Sequence, residues 1–448
     1  MSLIEFVNLS YYNAKEIKFK EESLRLKKSM MLSEYRKLFP SLSLNYGKNQ
    51  RISRYADDSV DYSFGFSLNQ VLFDGGRQFI AIKNREIQNK LEELELKKFQ
   101  SSFLLSLINF YFSNFLLTKE ELAIKKEFLE LQKKELNIVK KQRELKEVTP
   151  LDVYEWEISV KRGEIELREL NEQFKDLIEE MKYMVGFEMD EEFVSDERIV
   201  ENFTVFLNDT NDFISSEDET YYLALDSSID IKKMELNRQY LSFLKAHQSY
   251  NFIPQIEINF GGTTSGKMLF SSKIDWVVGV NISFPFFFNS GSSLVGYQFD
   301  KDNTYRSMNY GGKFNVYDTP SYLDELKNIE LQISQLEEQQ NNYKRETKIK
   351  VKNVIRKINF QKDLLEEVDK EVALLVQKVN IQAVKYRLGE ERSSDYIKSL
   401  LELQNAKLKR AKSLISLIQT IYEFKFIKGD MLTVEDIEKL YSRVITNI

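Results

Sequence analysis

Residues 60–76 read VDYSFGFSLNQVLFDGG, and their alternation decides the fold. Val60, Tyr62, Phe64, Phe66 and Leu68 are large and apolar, whereas Asp61, Ser63, Gly65, Ser67 and Asn69 between them are small or polar. A period of two marks a β-strand with one apolar and one polar face. Around it the chain is different: 30% of its 448 residues are charged, with 16 glycines and 5 prolines. That composition predicts long uninterrupted helices. A strongly aromatic strand face in a helical chain has to lie against a covering helix or against lipid.

The net charge of −6 excludes a nucleic-acid-binding composition. The absence of cysteine excludes disulfides, thiolate metal sites and cysteine nucleophiles. The single histidine, His247 in LKAHQS, has no second histidine to pair with and is expected at the surface or in a groove. No nucleophile–base pair, metal-ligand spacing or glycine-rich phosphate loop is present, so the chain is expected to be non-enzymatic, with no cofactor and no metal. No run of about 18 apolar residues occurs. FLLSLINFYFSNFLL, from Phe103 to Leu117, carries Asn109 and Asn114 and is expected as a helix buried on all sides in a bundle.

The chain is written twice. LFPSLSLNYG from Leu38 returns as FIPQIEINFGG from Phe252, with Pro40 and Pro254 214 residues apart. The strand at Val60 returns as IDWVVGVNISFPFFFNSG from Ile274. Asp152 and Gly186 return as Asp395 and Gly429, 243 residues apart. The first repeat is residues 1–215: helix 4–38, strands 41–50 and 58–73, helices 77–146 and 150–186, followed by the segment 187–221. The second is residues 216–448: helix 218–250, strands 254–268 and 272–288, an insertion at 292–320 rich in Asn, Asp and Gly, helices 321–388 and 393–428, and a tail 430–448. The helix over 77–146 spans roughly 100 Å at about 1.5 Å per residue. Ile329, Ile333, Leu336, Val351, Val354, Ile355 and Ile358 give its counterpart the narrow stripe of coiled-coil packing.

All four predicted strands alternate. Trp276, Val278, Val280 and Ile282 oppose Asp275, Gly279, Asn281 and Ser283, with Val277 as an exception. The apolar faces are aromatic near their ends, as in outer-membrane girdles, and the narrow helix stripes leave no broad face to cover a sheet. Four strands cannot close a barrel, because the smallest spanning barrels have about eight. Open edges in lipid leave unpaired backbone groups, so several chains have to contribute strands. Tyr62, Phe64, Phe66, Leu68, Trp276, Val278, Val280 and Ile282 are expected to face lipid. Asp61, Ser63, Ser67, Asn69, Asp275 and Asn281 are expected to line a lumen.

The duplicated helix–strand–strand–helix plan resembles the TolC-like outer-membrane efflux family over essentially the whole chain. The markers are the FPSLSLNYG entry to the first strand, LNQVLFDGG leaving the second, FPFFFNSG in the second copy, and KYRLGEERSSDYIKSLLELQNAKLKRAKSLI. The resemblance implies an α+β membrane protein: a homotrimer whose twelve strands, four per chain, form a β-barrel continuous with a long α-helical periplasmic barrel. The N-terminus lacks a basic region followed by an apolar stretch, which leaves either a cytosolic protein or an exported one whose signal has been removed; the resemblance implies the second, an outer-membrane location reaching into the periplasm with the export signal absent from this sequence. It further implies partnership with a periplasmic adaptor and an inner-membrane RND or ABC pump, and drugs or secreted polypeptides as cargo.

By the same resemblance the turns at 146–152 and 389–395 lie at the closed periplasmic end. Asp395 matches the first acidic position of the family's aperture segment, Lys398 stands at the second, and Asp152, Glu391 and Arg392 complete the candidate gating set. Three copies of Asp395 around an axis would focus a negative field able to bind a cation. Thr149-Pro150-Leu151-Asp152 also reads as a capped helix start, so Asp152 has a structural role open to it; Ser393 and Ser394 are the corresponding capping candidates beside Asp395. Arg143, Lys146, Val148, Tyr386, Leu388 and Gly389 are the candidate adaptor-docking residues. Gly389 suits a helix stop and Lys146 does not, so the two grooves are expected to be unequal. The segment 187–221 and the tail would form a belt around the helices. Pro285 and the insertion predict an irregular junction. The alternative is a soluble coiled-coil scaffold with a small sheet; an adaptor is disfavoured, since no lipoyl-like module separates the helices.

Overall fold

The computed structural model describes residues 3–51, 59–186, 216–249, 253–267, 274–286, 288–300, 306–318 and 322–428. The expected belt therefore lies outside the described residues, apart from 216–221. The chain divides into two compact units. One comprises Lys20–Glu95 and Ile229–Asn342, the other Met1–Phe19, Leu96–Ser228 and Tyr343–Ile448. In chain order the elements are α1 (Leu3–Asn13), α2 (Lys15–Arg36), β1 (Ser41–Arg51), β2 (Ser59–Phe73), α3 (Arg77–Phe110), a π-helical turn (Tyr111–Leu116), and α4 (Leu117–Glu144). They continue as α5 (Pro150–Val185), α6 (Glu217–Ser227), α7 (Ile229–Ser249), β3 (Gln255–Gly266), β4 (Asp275–Phe286), β5 (Asn289–Phe299), β6 (Arg306–Asn315), α8 (Tyr322–Arg387) and α9 (Ser393–Lys428).

The first unit holds a single antiparallel sheet of order β1-β2-β3-β4-β5-β6. Six strands replace the expected four, because the insertion read as loop-like forms β5 and β6. The ladder from β4 to β5 is unbroken from Trp276–Phe299 to Phe286–Asn289, so the expected irregular junction is also absent. Pro285 is tolerated because it pairs with Ser290 at the hairpin end, where at most one ladder bond is lost. The irregularity lies elsewhere: β2 carries one extra residue, Leu72, between the pairs Val71–Glu257 and Phe73–Ile256.

Paired residues of an antiparallel ladder share a face. Register therefore assembles two continuous surfaces from the six strands. Leu42, Leu44 and Tyr46 line up with Leu68, Phe66 and Phe64. The same face continues through Ile256, Ile258 and Phe260 to Ile282, Val280 and Val278, and on to Val295, Tyr297 and Phe299. Met308, Tyr310 and Phe314 on β6 complete it. Rings meet across its middle: Phe66 and Phe260 each pack on Trp276, with centroids 5.7 and 5.5 Å apart. Where β4 meets β5 the Phe284 ring fills the space above Gly291. Much of this face is exposed among the described residues: Leu44 is 65% exposed, Tyr310 77% and Phe314 58%. The opposite face carries Ser43, Asn45, Asp61, Ser63, Ser67, Asn69, Glu257, Asn259, Asp275, Asn281, Asn309 and Lys313. Gly65 and Gly261 lie on it where a Cβ would meet the neighbouring strand at 2.8 and 3.1 Å. The helices of this unit are tied by ion pairs such as Lys233–Glu95 (2.7 Å) and Lys245–Glu330 (3.0 Å).

The second unit is helical. Its main core joins Leu3, Phe6 and Val7 of α1, Leu104, Leu107 and Ile108 of α3, Met181 and Val185 of α5, and Leu414, Leu417 and Ile418 of α9. Tyr111, Phe112 and Phe115 of the π-turn are fully buried among them. The stretch Phe103–Leu117 packs one side into this core, but it is not buried on all sides as expected, since Ser106 and Asn114 are exposed; Arg77–Glu144 is long and apolar enough to span a membrane by composition. The wide turn, one residue longer than an α-turn, delivers three successive aromatic contacts to one side. The side chain of Gln419 donates to Ser113 Oγ beside it. Long-range ion pairs edge the helices, including Lys125–Glu166 (2.8 Å), Lys378–Glu402 (2.6 Å) and Lys407–Glu127 (2.9 Å).

Candidate functional site

Both turns singled out by the sequence lie in the helical unit. At the end of α4 the Glu147 N–H donates to the Gln142 carbonyl (2.9 Å) and the Lys146 N–H to Arg143 (3.0 Å). At the end of α8 the Glu390 N–H donates to Lys385 (3.0 Å) and the Gly389 N–H to Tyr386 (3.0 Å). Lys146 (φ 66°) and Gly389 (φ 73°) occupy the same left-handed position of this closure. The expected inequality of the two turns does not reach the backbone. The closing hydrogen bonds hold Lys146 in the glycine conformation, at a cost of about 1–2 kcal/mol for a residue with a Cβ, and the difference is confined to its exposed side chain. Arg143 donates to the Val148 carbonyl (3.2 Å) across the turn. Leu145, Leu151 and Leu388 stand 65–69% exposed at the two tips.

The two helix starts diverge. Thr149 caps α5: its hydroxyl accepts from the Asp152 N–H (3.4 Å), while the Asp152 carboxylate accepts from the Thr149 N–H (2.9 Å) and hydroxyl (2.7 Å). This is the capping box that Thr149-Pro150-Leu151-Asp152 predicts. In α9 Arg392 stands where Thr149 stands, and a guanidinium has no acceptor with which to cap. The candidate cap Ser393 is buried instead, near the Tyr386 hydroxyl. Asp395 is exposed, and its carboxylate has no hydrogen bond or ion pair among the described residues. Neither Arg392 nor Lys398 forms an ion pair with Asp152 within the chain. Lys398 instead lines a groove between α4, α5 and α9 with a cavity of about 350 Å³. Gly163 forms part of it, where a Cβ would approach Gln132 Oε1 to 3.0 Å.

Beneath the turns lies a cluster that sequence reasoning missed. Phe128, Val139, Trp156, Val379, Tyr386, Tyr396 and Leu400 form a second apolar core. Tyr396 stacks on Tyr386 (5.6 Å between centroids) and meets Trp156 edge-on (5.8 Å). A carboxylate is sunk into it: Glu135 is 8% exposed and accepts from Arg387 (3.3 Å) and from the Tyr396 hydroxyl (3.5 Å). Burial first, and then the charge on Glu135, push the Tyr396 hydroxyl up to about 12. Burial raises Tyr386 as well, against the pull of Trp156 and Ser393. The signal was present in α4, where Glu135 interrupts the buried stripe Phe128, Gln132, Val139. In the other unit His247 is partly buried, and burial lowers its pKa, with Arg77 adding to the effect and Asp74 opposing it. Among the described residues no group of three or more His, Cys, Asp or Glu side chains is placed to hold a metal.

Among solved structures, CusC superposes with a TM-score of 0.73 at 11% identity, covering 95% of this chain and 92% of that one. The Campylobacter jejuni CmeC outer membrane channel gives 0.71 at 12% identity, covering 98% and 89%. The open state of the Neisseria gonorrhoeae MtrE outer membrane channel gives 0.68 at 10%, covering 95% and 88%. At these identities the likeness is one of fold. No protein-family profile matches the chain. No curated protein matches it by sequence.

Proposed function

We propose that the chain is one subunit of a homotrimeric outer-membrane exit duct that passively conducts drugs or polypeptides delivered by a periplasmic adaptor and an inner-membrane RND or ABC pump. One observation carries the reading: six strands present a continuous apolar, aromatic-rich face that is largely exposed among the described residues, backed by a polar face. An exposed apolar surface of that extent marks a membrane or partner interface. Its alternation is that of a barrel with lipid outside and water inside. The shared fold with proteins described as outer membrane channels supports the same reading.

On this reading Tyr62, Phe64, Phe66, Leu68, Trp276, Val278, Val280 and Ile282 face lipid, and Asp61, Ser63, Ser67, Asn69, Asp275 and Asn281 face the lumen. The helix tips are the periplasmic aperture. Asp395, unpaired within the chain, is its principal charge, with Asp152, Glu391, Arg392 and Lys398 around it. Arg143, Lys146, Val148, Leu388 and Gly389 receive the adaptor, and the exposed leucines give its tips apolar purchase; Tyr386, expected among them, is buried in the core beneath the turns and supports them from inside. The test is reconstitution of the purified chain into planar bilayers. A duct requires detergent for purification and conducts ions, with conductance rising in Asp395→Ala. A chain that purifies as an elongated oligomer without detergent and conducts nothing, even with Asp152→Ala and Asp395→Ala combined, is a coiled-coil scaffold instead.

A further inference from the structure

Among the described residues the sheet ends in two unpaired edges, β1 and β6, each hydrogen-bonded on one side only. In lipid such an edge costs several kcal/mol for each unpaired backbone group, so both must find a strand. Six strands cannot close on themselves, since the smallest spanning barrels have about eight. Three features fit the two edges to each other in successive copies. Six is even and every pair is antiparallel, so β1 and β6 run in opposite directions and a β6–β1 join continues the alternation. The faces match as well: Leu42, Leu44 and Tyr46 meet Met308, Tyr310 and Phe314 on the apolar side. Ser41, Ser43 and Asn45 meet Ser307, Asn309 and Lys313 on the polar side.

The third feature is length and continuity. β5 and β6 are 11 and 10 residues long, about 33 Å at 3.3 Å per residue, enough to cross an outer membrane at barrel tilt. The ladders into them carry no register break, so the hairpin is part of the wall rather than a flap beside it. We propose that β6 of one copy pairs with β1 of the next, so that three copies close an eighteen-stranded barrel rather than a twelve-stranded one. This rests on the homotrimeric duct reading. Barrel diameter grows roughly linearly with strand number, so the pore is about 1.5-fold wider than twelve strands allow, with about 2.2-fold the cross-section.

The chain has no cysteine, which makes disulfide mapping clean. Asn45→Cys in β1 is combined in turn with Ser307→Cys, Asn309→Cys or Gly311→Cys in β6. The control series combines it with Val277→Cys, Asn281→Cys or Ser283→Cys in β4. The membrane-reconstituted protein is oxidised, run on a denaturing gel and assayed for conductance. A covalent trimer from at least one β1–β6 pair and none from the β1–β4 pairs is the expected result. Cross-linking through β4 would place β5 and β6 outside the wall, and a covalent dimer through β6 would mean twelve strands from two copies; either overturns the proposal. Conductance without any β1–β6 cross-link removes the eighteen strands and leaves the duct standing, whereas neither conductance nor cross-link removes both.

Discussion

Lys146 and Gly389 stand at the same left-handed position of two helix-ending turns that lie 243 residues apart. One copy uses the residue that adopts this conformation freely and the other does not, yet the closing hydrogen bonds agree to within about 0.1 Å. The turn geometry is therefore a property of the closure, and the strain is local to Lys146. Lys146→Gly is expected to stabilise the helical unit by about 1 kcal/mol, and Gly389→Ala to destabilise it by a similar amount. Thermal unfolding followed by circular dichroism reads both; an unchanged midpoint in Lys146→Gly would show that the lysine is unstrained.

The same comparison at the helix starts predicts a gain. Arg392→Thr restores the residue that caps α5 and gives Asp395 the partner Asp152 has. A completed capping box is worth about 1 kcal/mol. Asp152→Ala should cost a similar amount, whereas Asp395→Ala should leave stability nearly unchanged. Equal losses from the two alanine variants would contradict the difference in their partners.

Tyr396 supplies a pH signature. Its pKa is raised from the ordinary 10 to about 12, so the folded state favours the neutral hydroxyl. The stabilisation is present in full below pH ~10 and is lost progressively as pH rises from ~10 to ~12, for a total of about 2–3 kcal/mol. Tyr396→Phe should flatten the alkaline loss of helicity over that range. Tyr386, raised in the same direction, leaves part of the slope in place, which the double variant with Tyr386→Phe should remove.

Arg387 is more than half exposed while its partner Glu135 is buried, so the pair is asymmetric. Arg387→Ala leaves a carboxylate in an apolar setting and should cost about 1–2 kcal/mol, discounted for solvent screening of the guanidinium. Adding Glu135→Gln to that variant should recover most of the loss in chemical denaturation. No recovery would mean that Arg387 acts through packing instead.

The two sheet faces predict a labelling pattern. Single cysteines at Ser67, Asn281 and Asn309 should react with a membrane-impermeant thiol reagent in liposomes. Cysteines at Leu68, Val280 and Tyr310 should be protected by lipid. Equal reactivity at both sets would remove the assignment of faces.

Much of this was legible. The alternation at Val60–Leu68 and Trp276–Ile282 marked two faces, because large apolar and small polar residues take turns on β2 from Val60 to Asn69, before Gln70 and Val71 break the period. β5 escaped notice for the same physical reason in reverse: Ser290, Gly291, Ser292 and Ser293 put small residues on both faces, so no period appears. β6 does alternate, Met308 and Tyr310 against Ser307 and Asn309, but Gly311-Gly312 and its asparagines resemble a turn. The helices break at Ala14, at Ser228 and at the π-turn, where the apolar period runs on and gives no sign of a stop. The capping role of Asp152 could be read from four consecutive residues. The Glu135–Arg387–Tyr396 cluster could not, since it joins positions more than 250 residues apart.

Leu72 has a consequence for how β2 tolerates change. Above it, even-numbered positions belong to the apolar face and odd ones to the polar face; below it, Phe73 takes the apolar face. The strand thus has a reading frame, and one supernumerary residue shifts it just before Asp74 opens α3 by accepting from the Gly76 and Gln78 N–H groups. A saturation scan of β2 should find charge accepted at odd positions as far as Val71 and refused at Phe73. Deleting Leu72 alone would remove the supernumerary residue and still leave Phe73 opposite Ile256 on the apolar face.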